Sequence, residues 1–171
     1  MATTRKISSL IIHCAATPNG RWTRVLDIDH WHKSAGFRRT PTTAEQRAHN
    51  PDLKHIGYHW VIYTSGALAT GRHPSEVGAH ARGHNATTLS ICLIGTDRFS
   101  LEQWQQLRDQ VVHLGRLYDI PLVSASSDTQ WRGVWGHRDT GANKLCPGFS
   151  VADWLAGGMQ PLAGHILESA K

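Results

Sequence analysis

Residues 6–14 read Lys-Ile-Ser-Ser-Leu-Ile-Ile-His-Cys, a short apolar run that closes with an imidazole and a thiol. Branched aliphatic residues in such a run are typical of a buried β-strand. His13 lies at its end, so its side chain is expected to emerge at the edge of a sheet. Because neighbouring side chains of a strand point to opposite faces, Cys14 is expected to face the core and not to be a ligand in a site around His13.

Strand and helix patterns are mixed along the rest of the chain. Ser100 and Gln103 fit a capping box, and the apolar residues that follow recur at helical spacing. Further helices are predicted over 23–36 with Thr23 as the cap, from Ser150 onward, and from Pro161 to the C-terminus. Further strands are predicted at 59–63, 67–70, 90–94 and 134–135.

This order of elements, without repeats or a linker, predicts one α/β domain. We expect a central mixed β-sheet flanked by α-helices, with a core over about 6–156 and a C-terminal helical extension over about 157–171. Residues 38–54 carry two prolines and many charges, which predicts an exposed loop. Long loops in small domains often line functional sites.

The composition is that of a soluble globular protein, since 40% of the 171 residues are hydrophobic and 18% are charged. The net charge of +5 favours an acidic partner, such as nucleic acid or the anionic bacterial envelope. The positive residues are scattered and form no recognition helix or aromatic–basic RNA motif, so no nucleic acid partner is expected. The seven Trp residues could fill a core or line a groove for sugar or peptide.

Three Cys residues, an odd number, argue against a disulfide framework and for a reducing compartment or a metal ligand. Cys92 lies in an apolar run and is expected to be a packed thiol. No run is long enough to span a membrane, so no membrane insertion is expected. Arg5 and Lys6 precede an apolar run, but Ser8, Ser9 and His13 interrupt it, so we expect no signal peptide.

Two further residues could join His13 around a metal. His137 follows a short strand in Gly-His-Arg-Asp, and Cys146 follows nine positions later in Lys-Leu-Cys-Pro-Gly. Two imidazoles and one thiolate leave a tetrahedral zinc ion one ligand short, which is where a catalytic zinc holds water. The spacing alone does not separate this arrangement from a buried thiol and two hydrogen-bonded histidines.

Five segments, taken together and in this order, resemble the type 2 family of N-acetylmuramoyl-L-alanine amidases, which includes phage lysozyme-type amidases and peptidoglycan recognition proteins. The segments are Ile-Ile-His-Cys-Ala-Ala-Thr at 11–17, Ile-Gly-Tyr-His-Trp at 56–60, Gly-Ala-His-Ala-Arg-Gly-His-Asn at 78–85, Gly-His-Arg-Asp at 136–139 and Lys-Leu-Cys-Pro-Gly-Phe at 144–149. The resemblance implies the fold of these proteins and one Zn²⁺ held by His13, His137 and Cys146.

The resemblance also implies roles for residues around the metal. Tyr58 and Lys144 match the two positions that the family uses in catalysis, where a phenol can hydrogen-bond the attacking water and an ammonium can stabilise an oxyanion. His80, Arg82 and Asn85 lie in a Gly-rich segment that resembles a wall of the substrate groove. His80 and Asn85 are the predicted substrate contacts.

The function implied is hydrolysis of the amide between N-acetylmuramic acid and L-alanine of peptidoglycan, by a monomeric phage or prophage endolysin. Such an enzyme accumulates in the host cytoplasm and reaches the wall after a separate partner permeabilises the membrane. One alternative is a cytosolic amidase that recycles muropeptides, although its third ligand is usually a carboxylate. Another is a non-catalytic peptidoglycan-binding module, although such relatives tend to lack the Cys ligand. Residues 1–5 give no basis for judging a further role in inhibiting an RNA polymerase.

Overall fold

The apolar run around His13 forms the central strand of a five-stranded sheet. The computed structural model describes residues 5–127 and 130–169. The strands are β1 (Ser9–Cys14), β2 (Trp60–Ile62), β3 (Leu68–Thr70), β4 (Thr88–Leu93) and β5 (Gly133–Gly136), in the spatial order β3-β2-β4-β1-β5. β1 pairs in parallel with β4 and β5, β2 pairs in parallel with β4, and β3 is antiparallel to β2. The predicted mixed sheet is confirmed; β1, β2 and β3 are shorter than predicted, and β4 and β5 are slightly longer.

Helices cover both faces of the sheet. They are α1 (Val25–Ser34), α2 (Ala44–Ala48), α3 (Leu101–Leu117) and α4 (Val151–Ala156). One face packs on the apolar side of α3 and on α4, where Trp104 and Trp154 are almost fully buried. The other face packs on Ile28 of α1. Burial on both faces explains why Leu10, Ile11 and Ile12 of β1 form an unbroken apolar run.

The predicted capping of α3 and α4 is confirmed. The Ser100 hydroxyl accepts a hydrogen bond from the backbone N–H of Gln103, and the Gln103 side chain accepts one from the backbone N–H of Ser100. The Ser150 hydroxyl accepts a hydrogen bond from the Asp153 backbone in the same way. The cap of α1 is different, because Arg24 and not Thr23 stands at the N-cap position.

The prediction of an exposed loop over 38–54 is wrong in part. The segment contains the short helix α2, and Arg39 is 7% exposed. Its guanidinium donates to both carboxylate oxygens of Glu76, at 3.0 and 2.7 Å, and to the carbonyl oxygens of four residues of the segment. A charge satisfied in this way can be buried, and residue type alone does not reveal it.

The predicted helix from Pro161 is also wrong, since the described residues 157–169 contain no helix. Gly164 has a φ of +81°, which a right-handed helix does not accommodate. The segment instead pairs with Phe99, two residues before α3. Phe99 donates its N–H to the His165 carbonyl, and Leu167 donates its N–H to the Phe99 carbonyl. The extension is therefore part of the packed domain.

None of the helices within the described part of the chain has the length and apolar character that crossing a membrane requires.

Candidate metal centre and catalytic cleft

Two parallel strands deliver the two histidines to one place. The register pairs Ile12 of β1 with Gly136 of β5, so His13 and His137 are the next residues along adjacent strands. Their ring centroids are 4.6 Å apart. Cys146 is held close to both histidines in part by a hydrogen bond in which the Arg138 N–H donates to the Cys146 carbonyl at 2.8 Å. The three side chains converge because of the strand order in the sheet, which the spacing of the residues in the sequence does not predict.

These three side chains form a group that could hold a metal ion. One potential ligand atom from each of His13, His137 and Cys146 lies within 4.8 Å of the other two, and the Cys146 sulfur is 3.7 Å from His13 Nδ1. Among the described residues, no fourth His, Cys, Asp or Glu joins this group. Three donors with an open side fit a four-coordinate ion that keeps one exchangeable position.

The protonation states also fit a cation. Burial lowers the pKa of His13 well below its ordinary value, with the His137 charge as the second cause. Burial, and then the charge of Lys144, lower the pKa of His137. Both imidazoles are therefore neutral, as metal ligands must be. A hydrogen bond with the Cys14 thiol and burial raise the pKa of Cys146, so the metal-free site holds a thiol whose proton a cation would displace.

The Cys14 side chain lies in the core cluster, as its place in β1 predicts. Its backbone N–H nevertheless points at the Cys146 sulfur, 3.2 Å away. A donor in that position stabilises a thiolate. Cys92 is fully buried and its pKa is raised by burial, so it is the packed thiol that was predicted.

His80 lies directly behind His13. His80 Nδ1 is 3.0 Å from His13 Nε2, and His80 Nε2 is 3.4 Å from the Thr88 hydroxyl. That hydroxyl donates to the carbonyl of His84 at 2.8 Å. Because His13 Nδ1 faces Cys146, the proton of a metal-binding His13 sits on Nε2 and is donated to His80. His80 is thus placed to orient a ligand, and its contact with substrate stays a prediction.

A cleft of about 770 Å³ opens beside the ligands. Its lining includes five of the seven predicted site residues: Tyr58, His80, Asn85, His137 and Lys144. His13 is almost fully buried, with its ring centroid 5.0 Å from that of Tyr58. The structure therefore brings all seven predicted residues into one region.

The two predicted catalytic side chains differ in their surroundings. Burial raises the pKa of Tyr58 well above its ordinary value, so its phenol remains protonated and can donate a hydrogen bond. Lys144 is exposed in the cleft wall, close enough for its charge to lower the pKa of His137. One neutral donor and one cation thus stand at the cleft.

Asn85 has a local structural task. Its side-chain oxygen accepts hydrogen bonds from the backbone N–H groups of His80 and Ala81, at 3.0 and 2.9 Å. These bonds fix the turn that presents His80 to His13. Substrate contact by Asn85 stays a prediction, although the residue lines the cleft together with Arg82.

Sequence reasoning assigned no role to His32, yet it lines the cleft with Phe37. Its ring lies 5.1 Å from the Tyr58 ring, and its Nδ1 accepts the N–H of Gly57 at 2.8 Å. Burial lowers the pKa of His32 to about 4, with the charge of Arg72 as a second cause, so the ring is neutral. The available signal was helical spacing, because His32 is one turn from the buried Ile28.

A mixed sheet with helices on both faces, with two histidines at the carboxyl ends of its parallel strands and a cysteine beside them, defines the class of amidase-like and peptidoglycan recognition protein-like α/β domains. The family model described as N-acetylmuramoyl-L-alanine amidase matches residues 3–149. The chain belongs to this family.

Individual relatives agree with the family assignment. The endolysin of Klebsiella phage KP32 is 27% identical over 158 residues, which cover 88% of this chain and 86% of the relative. The N-acetylmuramoyl-L-alanine amidase LysC of Clostridium intestinale has a similar structure, with a TM-score of 0.68 and 21% identity over 91% of this chain and 87% of the other. Drosophila peptidoglycan recognition protein SA has a TM-score of 0.58 at 17% identity, covering 100% of this chain and 87% of the other.

Proposed function

We propose that this protein is a zinc-dependent N-acetylmuramoyl-L-alanine amidase that hydrolyses the amide between N-acetylmuramic acid and L-alanine of bacterial peptidoglycan. The observation that carries the proposal is the convergence of His13, His137 and Cys146 to within 4.8 Å. The cleft beside them contains Tyr58 and Lys144, which supply a neutral donor and a cation. Membership of the amidase family and the similarity to phage endolysins support the same reaction.

The ligand set argues for zinc. Two neutral imidazoles and one thiolate suit Zn²⁺, whereas magnesium and calcium prefer oxygen ligands. A bound Zn²⁺ supplies Lewis acidity to the amide carbonyl and lowers the pKa of a coordinated water. Burial keeps the imidazoles of His13 and His137 neutral, and the proton of the Cys146 thiol can be displaced by the ion. His80 fixes the orientation of His13.

The other residues act on the charge that develops during hydrolysis. Water adds to the carbonyl carbon, the C–N bond breaks, and the amine of L-alanine leaves with a proton. Negative charge grows on the carbonyl oxygen meanwhile, and the protonated phenol of Tyr58 and the ammonium of Lys144 stabilise it. His13 and His32 both pack against the Tyr58 ring, at centroid distances of 5.0 and 5.1 Å, and limit its positions.

The biological setting that we propose is phage or prophage lysis. Similarity to the endolysin of phage KP32 over most of both chains supports it. The protein would accumulate in the host cytoplasm and act on the wall after a separate partner permeabilises the membrane. Peptidoglycan is then its partner, and a monomeric state without nucleic acid stays our expectation.

The test uses purified protein and isolated peptidoglycan sacculi. Mass spectrometry of the products should show free stem peptides beginning with L-alanine. These products should vanish with a zinc chelator and return when zinc is restored. New reducing sugar ends in place of free peptides would mean a glycosidase and would contradict the proposal. Cleavage of soluble muropeptides alone, with intact sacculi untouched, would contradict the lytic setting.

A further inference from the structure

A second cavity, of about 550 Å³, lies beside the metal cleft. The two cavities share Thr140 and Gly141 in their linings. The segment between them, His137–Thr140, is a short 3₁₀ helix that begins with one of the potential metal ligands. The two cavities are therefore neighbours that meet at this segment, within the span of an extended substrate.

Aromatic rings form much of its surface. The ring centroids of Trp131 and Trp135 lie 5.2 Å apart, and the ring of His84 lies 5.1 Å from that of Trp135. Trp135 is 6% exposed, whereas Trp131 is 54% exposed. Trp135 thus forms a fixed base, and Trp131 presents its ring to a ligand.

The backbone holds Trp131 in an unfavourable conformation. Its φ of +56° lies in the left-handed region, which a bulky residue rarely adopts. The Ser9 hydroxyl donates to the Trp131 carbonyl at 2.7 Å and ties this residue to β1. Strain that surrounding contacts maintain is often found where a side chain must be presented to a ligand.

Charge distinguishes the two cavities. The metal cleft is lined by Arg82 and Lys144, which suit the carboxylates of a stem peptide. Among the described residues, the lining of the second cavity includes neither Lys nor Arg. Its charged member, Asp139, accepts a hydrogen bond from the Gly136 N–H at 2.7 Å. Flat aromatic faces bordered by hydroxyls, such as that of Thr87, suit a neutral sugar ring better than a charged peptide.

We propose that the cavity formed by Trp131, Trp135 and His84 is a subsite for a neutral N-acetylated sugar of the glycan strand, next to the muramoyl residue whose amide is cut. The apolar face of the sugar stacks on Trp131, and its hydroxyls meet the polar border. This inference rests on the proposed amidase function, because the scissile amide joins the sugar strand to the peptide at the metal. It explains how the protein would recognise polymeric wall and not only a peptide.

Two substrates separate this subsite from the amidase reaction itself. One is intact sacculi, and the other is a small synthetic muramoyl peptide that has no neighbouring sugar. Trp131→Ala should lower kcat/KM on sacculi about fivefold, and leave the small substrate within about twofold of the unchanged protein. Trp131→Phe should retain most of the activity on sacculi.

Trp22→Ala is the matched control. Trp22 is also exposed, at 68%, but it packs on Tyr63 and lines neither cavity. The Trp22→Ala variant should cleave both substrates with the same kcat/KM as the unchanged protein. Equal losses on both substrates with Trp131→Ala, or no loss on sacculi, would overturn the subsite.

A binding measurement gives an answer that does not depend on turnover. Tetra-N-acetylchitotetraose titrated into the protein should shift the indole NMR signals of Trp131 and Trp135, and leave that of Trp22 in place. Trp131→Ala should abolish the response at Trp135. Absence of any shift at millimolar sugar would refute the subsite. If the unchanged protein cleaves neither substrate, the amidase proposal fails, while the titration still decides whether the cavity binds sugar.

Discussion

Nε2 of His13 lies 3.0 Å from Nδ1 of His80, on the side of the His13 ring away from Cys146. One nitrogen of His13 is therefore available to a metal while the other is held by a neighbour. Such support behind a ligand fixes its tautomer and ring orientation, and removal of the support weakens metal binding.

Replacing His80 should thus act on metal affinity. We expect His80→Leu to weaken zinc binding by roughly 10- to 100-fold, because His13 loses its acceptor. His80→Asn should weaken it much less, because the Asn oxygen can stand near the position of Nδ1. Competition with a chromophoric chelator measures both affinities. Equal affinities for the two variants would show that the hydrogen bond does not orient the ligand.

Cys146 should be indispensable for tight zinc binding and turnover. Cys146→Ser replaces a soft thiolate by a hydroxyl that ionises poorly, so both properties should be lost. Cys92→Ala is the control, since this fully buried thiol lies in β4. It should keep stoichiometric zinc and lose about 1 kcal/mol of stability. Because the Cys92 thiol hydrogen-bonds with the Tyr58 hydroxyl, its zinc content and not its turnover serves as the control. Metal analysis by mass spectrometry and an assay on sacculi check both variants, and zinc retained by Cys146→Ser would contradict the assignment.

Lys144 should affect the reaction and not the metal. Lys144→Ala should slow cleavage roughly 100-fold while zinc remains bound, because the cation that stabilises the developing oxyanion is lost. Lys33→Ala, an exposed lysine on α1, provides a comparison of equal charge change and should be unaffected. Single-turnover rates and zinc content are the measurements. A loss of zinc in Lys144→Ala would show that the residue supports the site rather than the chemistry.

Acid should destabilise the metal-free protein in part through His59. Burial lowers the pKa of His59 in the folded state to about 3, with the charge of Arg5 as a further cause. The unfolded chain therefore takes up the proton first, and the stability from a neutral His59 is lost as pH falls from about 6.5 toward 3. In chelator, the difference in unfolding free energy between the unchanged protein and His59→Gln should shrink over this range. Urea denaturation at pH 7, 5.5 and 4.5 measures it, and a constant difference would exclude His59 as the source.

The buried pair of Arg39 and Glu76 should be costly to break. Arg39→Ala leaves Glu76 buried without its partner and should lower the free energy of unfolding by about 3–5 kcal/mol. Arg24→Ala removes an exposed ion pair with Asp27 and should cause no measurable change. Chemical denaturation of both variants tests the contrast. Similar small effects would mean that the segment 38–54 does not depend on Arg39.

The sequence allowed prediction of the elements better than of their arrangement. The run before His13 and the capping box at Ser100 are local signals, and both elements form where expected. The position of β1 between β4 and β5 depends on contacts distant in sequence, and that position brings His13 to His137. The family resemblance, and not spacing, singled out Cys146 beforehand.

Other features depended on context that residue type conceals. Arg39 looked like a solvated charge because its partner lies 37 residues away. His32 looked unremarkable until Tyr58 was placed beside it. The helix predicted after Pro161 failed because Gly164 follows too soon and because the carbonyl of His165 already accepts from Phe99 and Trp104.

The pairing of residues 165–167 with Phe99 sets a rule for building chimaeras from this domain. If a wall-binding module replaced the tail, the indole N–H of the almost fully buried Trp104 would lose its acceptor, the His165 carbonyl. The start of α3 would also be exposed. The same module appended after the tail would leave the contacts of residues 165–167 with Phe99 and Trp104 intact. Graft designs should therefore extend the chain and not shorten it.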